Sequence, residues 1–152
     1  MLRGGCSHSA SVKSLTRQTA RKTLFTFLLS SIIILIGAPK ANTSQLDIIE
    51  GGAVYQCSWS QNNCSVVSFD QQGDRYFYIN DVNTQVEFKS HQWFGAVVRS
   101  HGNSILACAP RYYWRTEHDT PFSDVTGTCY LSVDGLKTFV EYAPCRTGEL
   151  LG

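Results

Sequence analysis

The sequence predicts an all-β chain, and three observations carry that prediction. Short apolar runs are split by turn residues: Ala96 to Val98 precedes His101-Gly102-Asn103, and Ile105 to Ala109 ends on Pro110. Outside the amino-terminal leader, no segment has a helical apolar period. A strand–loop–strand unit occurs twice. Ile34-Leu35-Ile36-Gly37-Ala38-Pro39 reads almost like Ile105-Leu106-Ala107-Cys108-Ala109-Pro110, 71 residues on, and Gly51 to Gln56 parallels Thr126 to Leu131, 75 residues on. In each copy an apolar strand ends in Ala-Pro, an irregular loop follows, and a glycine opens the next strand. Such repetition is the signature of a propeller or another β-repeat architecture.

Residues 1 to 23 are rich in Ser, Thr and basic groups and show no apolar period. The uncharged run Leu24 to Ala38 follows. Basic residues ahead of an apolar run suit a signal peptide, a signal anchor or a mitochondrial presequence, although the run falls short of the ~20 residues that span a membrane. The repeat assigns Ile32 to Ile36 to a β-branched strand instead and leaves both readings open for Leu24 to Leu29. Further strands are expected at Gly51 to Gln56, Ser65 to Phe69 and Tyr76 to Ile79, with a turn or loop at Asp70 to Asp74, and Val86 to Ser90 leads into the unit that opens at Trp93. After the runs at 96–98 and 105–109, the segment Gly127 to Val133 gives a strand. Asp134-Gly135 makes a hairpin turn, and Thr138 to Tyr142 returns. Tyr112, Tyr113 and Trp114 are read as packing beneath their loop rather than as a contact surface. Arg111, Arg115 and His118 are read as solvated loop charges. No element is expected in the tail from Cys145 to Gly152.

A chain of 152 residues holds one domain at most. The formal net charge of +1 hides an asymmetry. Arg3, Lys13, Arg17, Arg21, Lys22 and Lys40 precede every acid, and all 12 acids lie from Asp47 onward. The globular part is therefore mildly acidic and lacks the basic stripe of a nucleic-acid binder. Six cysteines are many for a cytosolic domain of this size. Zinc spacing is absent, so disulfides in an oxidising compartment compete with buried free thiols, and disulfides fit better. Two glycosylation sequons, at Asn42 and Asn63, point the same way. No nucleophile signature, phosphate loop or metal-spaced His pair suggests catalysis.

The blocks GAPKANTSQLDIIEGGAVYQC (37 to 57), EFKSHQWFGAVVRS (87 to 100), ILACAPRYYWRTE (105 to 117), VTGTCY (125 to 130) and VEYAPCR (140 to 146) resemble the amino-terminal propeller of integrin alpha subunits. The likeness is to the Arg-Gly-Asp-binding, alpha-V-like group, whose FG-GAP repeats match Phe94-Gly95 and Gly37-Ala38-Pro39. That fold is a seven-bladed propeller of four-stranded antiparallel blades. The resemblance implies a partial, unclosed propeller: a non-matching basic leader and apolar segment over 1–30, the later strands of a first blade over 31–90, a second blade over 91–146, and a tail over 147–152. Blades bury their faces against one another, so a chain of this extent is not expected to fold stably alone.

The resemblance also implies roles. Cys57 pairs with Cys64 and Cys108 with Cys129, while Cys145 and Cys6 are left unpaired. Trp93 faces the beta subunit and helps cage one of its cationic side chains. The expected partners are an integrin beta subunit and, through the whole receptor, an extracellular matrix ligand. The expected place is the cell surface. No cofactor is expected, because the family's calcium loops belong to later blades. Glu149 does not match the family's ligand-reading acid, and that role is not carried to it. A different expectation is a truncated secreted or membrane-tethered product with no receptor activity of its own.

Overall fold

The computed structural model describes residues 33–59, 63–115 and 123–146. Strands β1 (Ile33–Ala38), β2 (Ala53–Ser58) and β3 (Asn63–Val66) form a sheet in that order. A hairpin of β4 (Tyr76–Ile79) and β5 (Val82–Gln85) follows. The short β6 (Glu87–Phe88) pairs with β9 (Tyr113–Trp114), which also pairs with β10 (Asp124–Val125). The second large sheet runs β7 (Val97–His101), β8 (Ser104–Ala109), β11 (Thr128–Ser132) and β12 (Val140–Tyr142) in spatial order. Every ladder is antiparallel and no sheet closes on itself among the described residues. The fold is all-β, with blade-like sheets. No helix among the described residues is long and apolar enough to cross a membrane.

β1 and β8 lie 71 residues apart, the offset of the sequence repeat, and each is followed across its sheet by the strand that opens after a glycine. Alternation sets the faces. In β8, Ile105, Ala107 and Ala109 are buried while Leu106 and Cys108 are half-buried. The inner faces enclose one core of Val54, Phe69, Val86, Phe94, Ile105, Ala107, Ala109, Tyr112 and Trp114. Phe94 sits at its centre, edge-on to Phe69 at 5.3 Å and to Tyr130 at 5.8 Å.

The two sheets meet at a backbone bridge between Gly52 and Phe94. Both glycines there are required. Gly52 has φ +90°, and a Cβ on it would strike the Phe94 backbone; Gly95 has φ +86°, and a Cβ on it would strike the Ala53 carbonyl oxygen. The Phe-Gly element therefore marks where one sheet's backbone rests on the next.

Several boundaries differ from the sequence expectation. The strand expected over Ser65 to Phe69 is Asn63–Val66, because Cys64 stands opposite Cys57 and sets the register two residues earlier. Phe69 instead turns into the core. β5 was not expected: Asn80 and Asp81 take φ of 48° and 61°, the left-handed pair that closes a two-residue hairpin. Asp134-Gly135 belongs to a longer turn. Asp134 Oδ1 accepts hydrogen bonds from the Lys137 and Thr138 amides, so the return strand starts at Val140 rather than Thr138. The strand expected over Ile32 to Ile36 runs on to Ala38; Ile32 and the segment 1–30 lie outside the described residues.

Candidate subunit-contact surface

Trp93 lies in the loop between β6 and β7, and the loop is held from several sides. The His91 amide donates to the Ile49 carbonyl at 2.9 Å, Phe94 to Gly51 at 3.1 Å, and Gly95 to Cys108 at 3.1 Å. The Arg111 amide donates to the Gln92 carbonyl at 3.0 Å. Gln92 and Phe94 are buried, and Trp93 between them is half-buried. Its φ of 62° is unusual for a bulky residue, and His91, two residues earlier, has φ 58°. The facing loop carries two more such residues, Asp47 at 58° and Glu50 at 47°. Four of the seven described non-glycine residues with positive φ thus gather on one edge. Backbone strain of this kind persists only where surrounding contacts over-determine it, and it concentrates at functional sites.

The same edge presents exposed apolar side chains, Leu46 at 74% and Ile49 at 61% exposure. The Glu50 amide donates to Asn42 Oδ1 at 2.8 Å, and the Ile49 amide to Ser90 Oγ at 3.1 Å, which fixes that loop. His91 Nδ1 lies 3.2 Å from a Glu50 carboxylate oxygen. The Arg111 guanidinium stacks over the Trp93 ring, 4.9 Å from its centre.

Beneath this edge runs a buried ionic network. Glu87 is fully buried and receives two hydrogen bonds of 2.8 Å from the Arg75 guanidinium and one of 2.7 Å from the Tyr112 hydroxyl. Lys89, also buried, pairs with Asp70 at 2.8 Å and donates to the Gln72 and Gly73 carbonyls. Arg146 binds Glu141 and stacks on Trp114 at 4.2 Å, while Arg75 approaches the same ring at 5.1 Å. The hydrogen bond to Glu87 holds the Arg75 guanidinium firmly charged, above its ordinary range. Burial, reinforced by the negative charge of Glu87, raises the Tyr112 hydroxyl. Burial raises Glu141 too, but hydrogen bonding and charge from Arg146, then the charge of Arg75, outweigh it and lower that carboxyl overall. Burial raises Asp74, despite its bond from the Lys89 amide. The network positions the loops around Gly73, Lys89 and Tyr112; Asp70, Glu87 and Glu141 are each matched by a cation.

No family model matches the chain. Individual relatives do. Integrin alpha-5 of Xenopus laevis is 60% identical over 121 residues, covering 77% of this chain. Integrin alpha-V of Gallus gallus is 57% identical over 119 residues, covering 78%. This chain belongs to the integrin alpha family. Integrin alpha-8 of Homo sapiens, at 47% over 119 residues, matches a similar share. The chain spans about an eighth of the length of these relatives, 12% of the alpha-5 protein and 11% of the other two. Integrin alpha subunits are non-enzymatic receptors, in keeping with the lack of a catalytic signature in the sequence.

Within this integrin alpha chain the two expected disulfides are formed, Cys57–Cys64 and Cys108–Cys129, each between residues directly opposite in a ladder. The expectation that Cys145 is left unpaired is corrected: Cys145 is disulfide-bonded. Cys6, His118 and Glu149 lie outside the described residues. Asn42 and Asn63 are both exposed. Tyr112 and Trp114 pack inside, as expected for the aromatic loop. Arg111 is exposed but stacked on Trp93, and Arg115 is half-buried with Nε donating to the Gln85 carbonyl, so neither is merely a solvated charge. Sequence patterning missed the network around Glu87. Its only trace is two charges, Glu87 and Lys89, in a segment that otherwise reads as strand, and their partners lie up to 66 residues away along the linked groups.

Proposed function

We propose that this chain contributes to the propeller of an integrin alpha subunit that pairs with a beta subunit at the cell surface, in adhesion to extracellular matrix and the signalling that follows. In this reading, residues 31–90 supply the later strands of the first blade and residues 91–146 the second. The observation that carries it is the identity of 57% and 60% to alpha-V and alpha-5 over more than three quarters of the chain. Cross-strand disulfides fit an extracellular setting, as do exposed acceptors at Asn42 and Asn63.

Trp93 is the residue proposed to face the beta subunit. Its partial exposure, its strained backbone and the rigid loop around it support a contact role over a place in the core. Matrix ligand is met through the assembled receptor. Co-expression with an integrin beta subunit, surface biotinylation and precipitation through the beta subunit test the proposal. The chain is expected in the biotinylated precipitate. Recovery of the chain only in the medium, or in membranes without any beta subunit, would count against it and favour a product with no receptor activity.

A further inference from the structure

Strand β3 carries a glycosylation sequon whose middle residue is a bridged cysteine, Asn63-Cys64-Ser65. In the ladder Asn63 stands opposite Ser58, Cys64 opposite Cys57 and Ser65 opposite Gln56. Asn63 and Ser65 therefore point to one face, about 6.8 Å apart along the strand, and Cys64 to the other. Glycan transfer needs the Ser65 hydroxyl and the Asn63 carboxamide at one catalytic site, so the triplet must leave the ladder and turn. β3 is an edge strand of four exposed residues, and little apolar burial holds it to β2. The Cys57–Cys64 bridge is what fixes it. These two cysteines are separated by 7 positions, so the loop between them closes at small entropic cost.

We propose that Asn63 is a conditional N-glycan acceptor, its occupancy set by a race between glycan transfer and closure of the Cys57–Cys64 disulfide. In transfer, Asn63 Nδ2 bonds to the anomeric carbon of an oligosaccharide held on a polyprenyl pyrophosphate. The anomeric C–O bond breaks, the pyrophosphate leaves with its electron pair, and the amide gives up a proton. In closure, the two thiols pass two electrons and two protons to a protein disulfide, which is reduced to a dithiol. Closure first locks the triplet in the ladder and removes the acceptor. Transfer first still lets the bridge form, because the glycan and the thiol lie on opposite faces of β3. Asn42 has no such gate: Asn42-Thr43-Ser44 lies in the loop between β1 and β2, contains no cysteine, and leaves Asn42 exposed.

This inference rests on the reading of the chain as extracellular, and Asn42 tells the two apart. Wild type, Cys57→Ser and Cys108→Ser chains are each co-expressed with an integrin beta subunit in secretory cells. Total cellular chain is treated with peptide N-glycosidase in heavy-oxygen water, and mass spectrometry reads occupancy at Asn42 and Asn63. In wild type, Asn42 is expected to be more fully occupied than Asn63. Cys57→Ser keeps the sequon intact and is expected to raise Asn63 occupancy about twofold or more, since an unbridged edge strand opens at little cost. Asn42 is expected to stay unchanged. Cys108→Ser, which breaks the other bridge, is expected to leave Asn63 near wild type. Equal Asn63 occupancy in wild type and Cys57→Ser, or an equal rise in Cys108→Ser, would overturn the inference, while a modified Asn42 would uphold the extracellular reading. Asn42 and Asn63 both bare in every chain would overturn the two together. Reading total rather than surface chain keeps the test valid for a variant that misfolds, because transfer precedes export.

Discussion

Glu87 shows how much of this fold hangs on a single side chain. Its carboxylate is fully buried, yet it answers Arg75, Tyr112 and Lys89 at once. Glu87→Gln keeps the shape and removes the charge. Because Arg75 remains a third exposed and still reaches Glu141, the expected loss is about 3 kcal/mol, the low end for a broken buried pair. Pulse proteolysis in urea, on chain captured with a beta subunit, reads that loss as an earlier midpoint. Glu141 predicts a pH dependence. Its folded pKa lies below the ordinary 4.5, so its stabilisation is complete above that value and disappears as pH falls through the folded value. Asp74 is shifted the other way and contributes with opposite sign: its share is present at low pH and lost as pH rises through its raised value. Glu141→Gln should therefore flatten the acid-side loss of protease resistance, and Asp74→Asn should steepen it. None of this was legible in the sequence. A salt-bridged glutamate and a surface glutamate look alike until distant segments are brought together, whereas the cysteines announced their pairing through a family pattern.

At the level of elements, strand positions were the most legible feature, since alternation and turn residues are local. The offset between Ile34 and Ile105 located β1 and β8 to within a residue or two. Connections whose chemistry departs from the common turn signals were missed. The Asn80-Asp81 turn has no glycine, and β9 and β10, two residues each, are too short to show alternation. Glycine positions separate these causes experimentally. Gly95 and Gly102 both have positive φ, 86° and 57°, but only Gly95 is pressed against a neighbouring backbone; nothing lies within 4 Å of a Cβ on Gly102. Gly102→Ala should cost about 1 kcal/mol for the left-handed backbone alone. Gly95→Ala should cost about 3 kcal/mol or more, because the sheets must also part at Ala53. The same proteolysis assay ranks them, and equal midpoints would mean that the contact between sheets is softer than drawn.

For the molecule as a whole, the decisive feature is what the two sheets leave uncovered. Ile34, Ile36 and Val66 share the outer face of the first sheet; Val97, Leu131, Val140 and Tyr142 share that of the second. Blade faces are built to be covered by neighbours. With these exposed, the isolated chain is expected to give broad, poorly dispersed amide NMR signals, and sharp, dispersed ones from a monomer would show that the inner core suffices. The loop edge around Trp93 is different in kind: rigid, strained, and mixed apolar and charged rather than a blade face. The proposed subunit contact lies at that edge and not on the blade faces. A photo-crosslinking amino acid placed at Ile49 or His91, and separately at Tyr142, in chain co-expressed with a beta subunit tests it most directly. Adducts to the beta subunit from Ile49 and His91 but not from Tyr142 are the predicted result. Adducts from Tyr142 alone, or from none of the three while the chains still co-precipitate, would contradict it.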